Sequence, residues 1–199
     1  RSQSDTAPAT FWLLAPYTSG SPRELLCARP ALRGLSAALS PMAAVSIPAR
    51  DGEQLPGYLT LPRAHQRLWS AGASDASSTP PPPPLVLCIH GGPNERDYAG
   101  FDPWVQLLAA RGMAVLSVDY RGSTGYGRRF CNLAHGNVRG MHEDVEDARR
   151  WAITSGLADP DRIASVGASW GGYLALGGAT KVAAEAEEEG EEGEEERAR

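Results

Sequence analysis

Little in this sequence could hold a soft metal or staple a small fold: 199 residues include four histidines and three cysteines. Cys27, Cys88 and Cys131 form no C-x-x-C pair and have no clustered histidine partners. That spacing argues against a disulfide framework and a zinc site, and it fits a reducing compartment, most simply the cytosol. No run of about 18 apolar residues occurs and no signal peptide is visible, so no membrane span is expected. Basic residues are scattered as solvated positions are, with no patch interleaved by aromatics, which argues against a nucleic-acid partner.

Negative charge is scarce until the end. Nine of the 24 acidic residues lie between Glu185 and Glu196, so the first 184 residues carry 15 acidic against 17 basic side chains and the pI of 5.4 describes a tail. The tail has no apolar face to bury and is expected to be a disordered or helical acidic extension over 182–199. Hydrophobic residues make up 42% of the chain, enough for one medium domain.

Residues 1 to 40 carry two short apolar groups, Phe11 to Leu14 and Glu24 to Cys27, around the turn-rich Tyr17 to Pro22, and read as a hairpin that needs a sheet to join. A second hairpin, Val45 to Pro48 and Leu55 to Leu61, turns at Asp51-Gly52. From Ala64 to Pro84 the composition shifts to Ala, Ser, Gly and five consecutive prolines, the mark of a spacer or surface insertion. Strands and helices then alternate. Leu85 to Ile89 is a strand, Asp102-Pro103 caps a helix that Gly112 ends, Ala114 to Val118 is a strand, and Met141 to Ser155 is a helix. The pattern predicts an α/β fold with a mostly parallel sheet and flanking helices.

The chemistry concentrates at Gly167-Ala168-Ser169-Trp170-Gly171. This G-x-S-x-G pentapeptide lies between an apolar run expected to be a buried strand, Ile163 to Val166, and a helix-like Gly172 to Leu176, the sequence form of a nucleophile elbow. Small flanking residues let a sharp turn hold the serine hydroxyl exposed, so Ser169 is the candidate nucleophile. The Trp170 N–H, at the helix start, is one candidate oxyanion donor. The other is Gly92, in the His90-Gly91-Gly92-Pro93 loop directly after a strand. His90 reads as a structural hydrogen-bonding residue of that loop. His65 is expected to be exposed, and His142-Glu143 lacks the second histidine of a metalloprotease motif, so no metal or other cofactor is expected.

In order and spacing, His90 to Pro93, Asp119-Tyr120-Arg121-Gly122-Ser123-Thr124-Gly125-Tyr126-Gly127, Ala158 to Ile163 and Gly167 to Tyr173 resemble the catalytic domain of the prolyl oligopeptidase family of serine peptidases. The resemblance is to its acylaminoacyl-peptidase and dipeptidyl-aminopeptidase-like branch. It implies hydrolysis of peptide or acyl-peptide substrates through an acyl-enzyme at Ser169. It also implies that 1–40 are the last strands of a β-propeller and that 41–181 are the N-terminal part of an α/β-hydrolase domain, with an insertion at 64–84. The family's triad runs in the order Ser, Asp, His, whereas the last histidine here is His142. The triad Asp and His are therefore absent from these residues, and the expectation is an incomplete copy, truncated at both ends, with little turnover. An esterase of the same fold and a non-catalytic interaction protein are the competing readings. The oligomeric state stays open.

Overall fold

The computed structural model describes residues 2–4, 6–13, 23–27, 29–66 and 80–178. Two sheets form. The first is an antiparallel set of three strands, β1 (Ser2–Ser4), β2 (Ala7–Leu13) and β3 (Arg23–Cys27), in that order. The expected first hairpin is β2 and β3, paired through Thr10 and Cys27, and the turn between them lies outside the described residues.

The second sheet holds β4 (Met42–Pro48), β5 (Gln54–Thr60), β6 (Leu85–Ile89), β7 (Ala114–Val118) and β8 (Ile163–Gly167), in the spatial order β4-β5-β7-β6-β8. It is mixed rather than mostly parallel: β4, β5 and β7 pair antiparallel, while β7, β6 and β8 pair parallel. The tight Asp51-Gly52 turn forces β4 and β5 antiparallel, and β5 then meets β7 head to tail. The parallel strands reach one another through helical crossovers.

Local chemistry sets the helices. α1 (Pro103–Ala110) starts where the Asp102 carboxylate accepts the N–H groups of Trp104 (2.7 Å) and Val105 (2.9 Å). A short α2 (Arg128–Asn132) follows the glycine-rich loop after β7 and was not foreseen. α3 (Val138–Thr154) begins earlier than expected, because the Asn137 side chain caps it by accepting the Gly140 N–H. Residues 170–178 form α4, in which the described residues end. Among the described residues no helix is long and apolar enough to cross a membrane.

Met141, Val145, Ala148 and Ala152 recur at helical spacing on α3 and are buried with Leu85, Leu87, Ile89, Leu116, Val118 and Ile47. Fully burying one such large aliphatic side chain contributes roughly 1.5–3 kcal/mol. The β4–β5 turn is anchored by charge. Arg50 forks onto Asp147 (2.8 Å), Asp51 meets Arg121 (2.8 Å), and Glu53 meets Arg129 (2.6 Å). Arg121 is not a solvated arginine of the kind expected. It is buried and donates through both Nε and its terminal nitrogen to Asp144, which together with its other acidic neighbour Asp51 raises its pKa against burial.

The proline run is also not a free spacer. Carbonyls of Pro81, Pro82, Pro83 and Pro84 accept from His65, Arg162, Asp159 and Ala114, and Pro83 is buried. A proline-recognition module could not take these carbonyls without displacing the lead into β6. The rest of the expected insertion, 67–79, lies outside the described residues, as does the acidic tail.

Candidate active site

β6 and β8 are parallel neighbours in register from Leu85↔Ile163 to Ile89↔Gly167, so both strands end at the same edge of the sheet. The loop after β6 is His90 to Pro93, and the turn after β8 carries Ser169. Adjacent strand ends thus bring the two motifs together although 77 positions separate Gly92 from Ser169.

Ser169 has φ 54°, the one non-glycine residue with a left-handed backbone among the described residues. L-residues with a Cβ are pushed out of this region by their own carbonyl, at a cost of roughly 1–2 kcal/mol. The turn is held by packing. A Cβ on Gly171 would collide with the Ile89 and His90 carbonyls, and one on Gly167 would collide with the Gly171 backbone, so the helix start seats directly on the end of β6. The Ser169 carbonyl accepts the Tyr173 N–H (3.1 Å), which starts α4. Trp170, the first helical residue, presents an N–H that the helix itself cannot pair. Ser169 is exposed.

The facing loop is equally close. A Cβ on Gly91 would lie 3.2 Å from the Ala168 carbonyl and 3.6 Å from Ser169 Cβ. Gly92 has φ +129°, and a Cβ there would meet the Asn94 nitrogen at 2.7 Å, so only glycine fits. Ser169, Gly92 and Trp170 therefore gather at one sheet edge.

Sequence reasoning foresaw His90 as a hydrogen-bonding residue of this loop and missed the rest of the layer behind it. His90 stacks on Tyr120 (ring centroids 4.4 Å apart), and its Nδ1 lies 2.7 Å from the Gly91 carbonyl and its Nε2 2.9 Å from Ser123 Oγ. Asp119, fully buried, accepts the Asp97 N–H (2.7 Å) and the Tyr126 hydroxyl (2.5 Å). Desolvation first, and the Asp119 charge second, push the Asp97 carboxyl from 3.8 up to about 7. Arg96 reaches the Tyr126 hydroxyl (3.1 Å) and lies over the rings of Tyr98 and Tyr126. The sequence signal was the dense polar motif Asp119 to Gly127, whose members read as loop residues until the loop packed them together.

The other histidines sit elsewhere. His65, expected to be exposed, is half-buried against the Pro81 carbonyl (3.0 Å), because the prolines fold back over it. His142 packs on the ring of Tyr173. No group of three or more metal-ligating side chains occurs among the described residues. A cavity of about 580 Å³, lined by Leu87, His142, Val145, Ile163 and Leu174 among others, includes neither Ser169 nor Gly92 and is separate from the elbow.

One expectation fails in its detail. The strand leading to Ser169 was expected to be buried, yet Ala164 to Gly167 are exposed, since β8 has a neighbour only on its β6 side among the described residues.

The chain matches known proteins in sequence and in structure. Residues 99–183 match the model described as "Prolyl oligopeptidase family". A dipeptidyl aminopeptidase BIII of Pseudoxanthomonas mexicana is 44% identical over 164 residues, covering 82% of this chain and 23% of that protein. The chain belongs to the prolyl oligopeptidase family. Within this family of serine peptidases, an acylamino-acid-releasing enzyme of Arabidopsis thaliana is 38% identical over 92 residues, 45% of this chain and 12% of that enzyme. In structure, a puromycin-hydrolyzing peptidase of Mycobacterium tuberculosis superposes with a TM-score of 0.71 at 28% identity, over 88% of this chain and 25% of that one. The chain thus spans about a quarter or less of the length of these family members.

Proposed function

We propose that these residues supply the nucleophile and oxyanion donors of a serine peptidase acting on peptide or acyl-peptide substrates. Ser169 attacks the carbonyl carbon, and the N–H groups of Gly92 and Trp170 receive the developing oxyanion. The single observation that carries the reading is the left-handed Ser169, exposed on a strand-to-helix turn so near Gly91 that a Cβ there would lie 3.6 Å from the Ser169 Cβ. A backbone cost of that kind persists where placement of a side chain matters.

The triad Asp and His are not among these residues. No histidine follows Ser169, and His90 is held by Gly91 and Ser123. Without a base the serine keeps its proton, and what is left is the residual acceleration of about 10³–10⁴ over water that oxyanion donors and binding give. In the same reading, residues 1–40, whose three strands pair with one another among the described residues, are the end of a propeller, 41–181 are part of the hydrolase domain, and 182–199 are an acidic tail.

The test has two halves. The 199-residue chain is expected to label far below one equivalent with a fluorophosphonate probe, and stoichiometric labelling at Ser169 would sink the missing-base claim. Exchanging residues 42–178 for the matching stretch of the Pseudoxanthomonas mexicana relative places the same elbow beside a complete remainder. That swapped enzyme is expected to cleave peptide amides and to lose this with Ser169→Ala. Cleavage of p-nitrophenyl esters alone points to an esterase instead.

A further inference from the structure

A second cavity, of about 260 Å³, is built on the loop after β6, with Asp97, Phe101 and Asp102 from that loop, Tyr58 from β5 and Ser117 from β7 in its lining. Ser169, Gly92 and Trp170 take no part in it. Tyr58 pairs with Ser117, Ser117 with Cys88 and Cys88 with Val166, so the two strand residues of the lining stand two and three strands from β8, roughly 10–14 Å away. The cavity is a separate place from the elbow.

Its acceptors outnumber its donors. Asp97 Oδ2 is shut off from solvent and meets no donor among the described residues. Asp102 caps α1 through Oδ1, which takes both the Trp104 and the Val105 N–H and leaves Oδ2 over. The cation in the lining, Arg96, is turned to other partners: it donates to the Asp97 carbonyl (3.0 Å) and to the hydroxyls of Tyr126 (3.1 Å) and Tyr58 (3.4 Å), and it lies over the Tyr98 ring. Arg29 reaches only the ring of Phe101. Behind Asp97 stands the buried Asp119, while Cys88 and Tyr120, both kept protonated by burial first, add no positive charge. Burial, then the charges of Asp119 and Asp102, raise the Asp97 carboxyl to about 7, and Arg96 offsets only part of this. The proton stays because too little positive charge faces the group.

The lining selects the kind of cation. No three metal-ligating side chains gather among the described residues, so a bare metal ion would lack ligands. A primary ammonium carries three donors on one compact charge, and the two carboxylates with the Ser117 hydroxyl are acceptors for it. Met42, Phe101 and Val105 give an apolar wall for a chain behind that charge.

We infer that this cavity binds a primary alkylammonium group, with Asp97 as its counter-ion and Asp102 as the second carboxylate, the ammonium taking the place of the Asp97 proton. The site goes beyond the peptidase reading and does not rest on it.

In the 199-residue chain, calorimetry with n-hexylammonium at pH 6, repeated in two buffers of different ionisation heat, is expected to show release of close to one proton for each amine bound. Affinity is expected to rise about tenfold per pH unit below about 7 and to level off above it. Asp97→Asn, which keeps the shape without the charge, is expected to weaken binding at pH 8 at least about tenfold and to abolish the pH dependence. n-Hexanol, with the same chain and no charge, is expected not to bind where the amine saturates. Nα-acetyl-lysine amide separates the sources: its binding as tightly as the amine supports a site for lysine side chains, and binding of n-hexylammonium alone supports one for small amines. Equal affinity in Asp97→Asn, n-hexanol binding as well as the amine, or no binding of n-hexylammonium at pH 8 overturns the proposal. None of these measurements uses turnover, so their failure leaves the peptidase reading where it stands.

Discussion

β7 and β8 are both five-residue strands of small and aliphatic side chains, yet every residue of β7 is buried and four of the five in β8 are exposed. Composition does not separate them. Position does: β7 lies between β5 and β6, while β8 pairs with β6 alone among the described residues. The strand that delivers the nucleophile therefore takes its register from one ladder. Its end is secured where Gly171 seats on the Ile89 and His90 carbonyls rather than by a surrounding core.

The interior side of this contrast should show the largest effects. Asp144→Ala leaves the buried Arg121 with one carboxylate partner in place of two, and loss of a partner to a buried charge costs about 3–5 kcal/mol, read as a shift of the denaturation midpoint. A loss below about 1 kcal/mol would mean that Asp51 alone can hold Arg121, which would remove Asp144 as its principal partner. In the middle of β7, Leu116→Ala removes a fully buried side chain and is expected to cost about 2–5 kcal/mol.

Between the two sides lies Asp97, on the loop after β6. Its carboxyl titrates at about 7 rather than 3.8, so the native chain holds the proton more tightly than the unfolded chain does. Stability from this group is fully present below the unfolded value and is lost as pH rises through the folded one. Asp97→Asn should therefore melt at a higher temperature than the parent at pH 8, the gap narrowing as the pH falls through about 7 and closing only below about pH 4. Parallel melting curves across that range would refute the desolvation of Asp97. The smallest effect belongs to the edge: Val166→Ala on β8, a residue 41% exposed, should change stability by no more than about 0.5 kcal/mol. A cost near that of Leu116→Ala would show that β8 is covered in solution and would erase the contrast.

The sequence told much about which residues form strands and helices, and less about how they assemble. Leu85 to Ile89 and Ala114 to Val118 were legible because buried strands read as unbroken apolar runs, and α1 because Asp102-Pro103 and Gly112 mark its ends chemically. Strand order leaves no periodic trace, so the antiparallel half of the sheet and the exposure of β8 could not be read. α2 was hidden because Arg128 to Asn132 follows three glycines within six residues, a context that reads as loop. At the site, Ser169, Gly92 and Trp170 were legible as motifs. Of the support behind them His90 was legible, as a hydrogen-bonding residue of its loop; Tyr120, Ser123 and Asp97 were not, since they act through contacts that only the folded loop creates.

The left-handed backbone at Ser169 has one more consequence. Glycine would accept that conformation freely, so Ser169→Gly relieves about 1–2 kcal/mol, part of it returned as extra freedom of the unfolded chain. Threonine, which would offer a comparable hydroxyl, is disfavoured there by its branched Cβ. A glycine at this position would therefore give an easier turn with no oxygen to react. Ease of folding and capacity for chemistry pull apart at residue 169, and the left-handed backbone is the place where they do so.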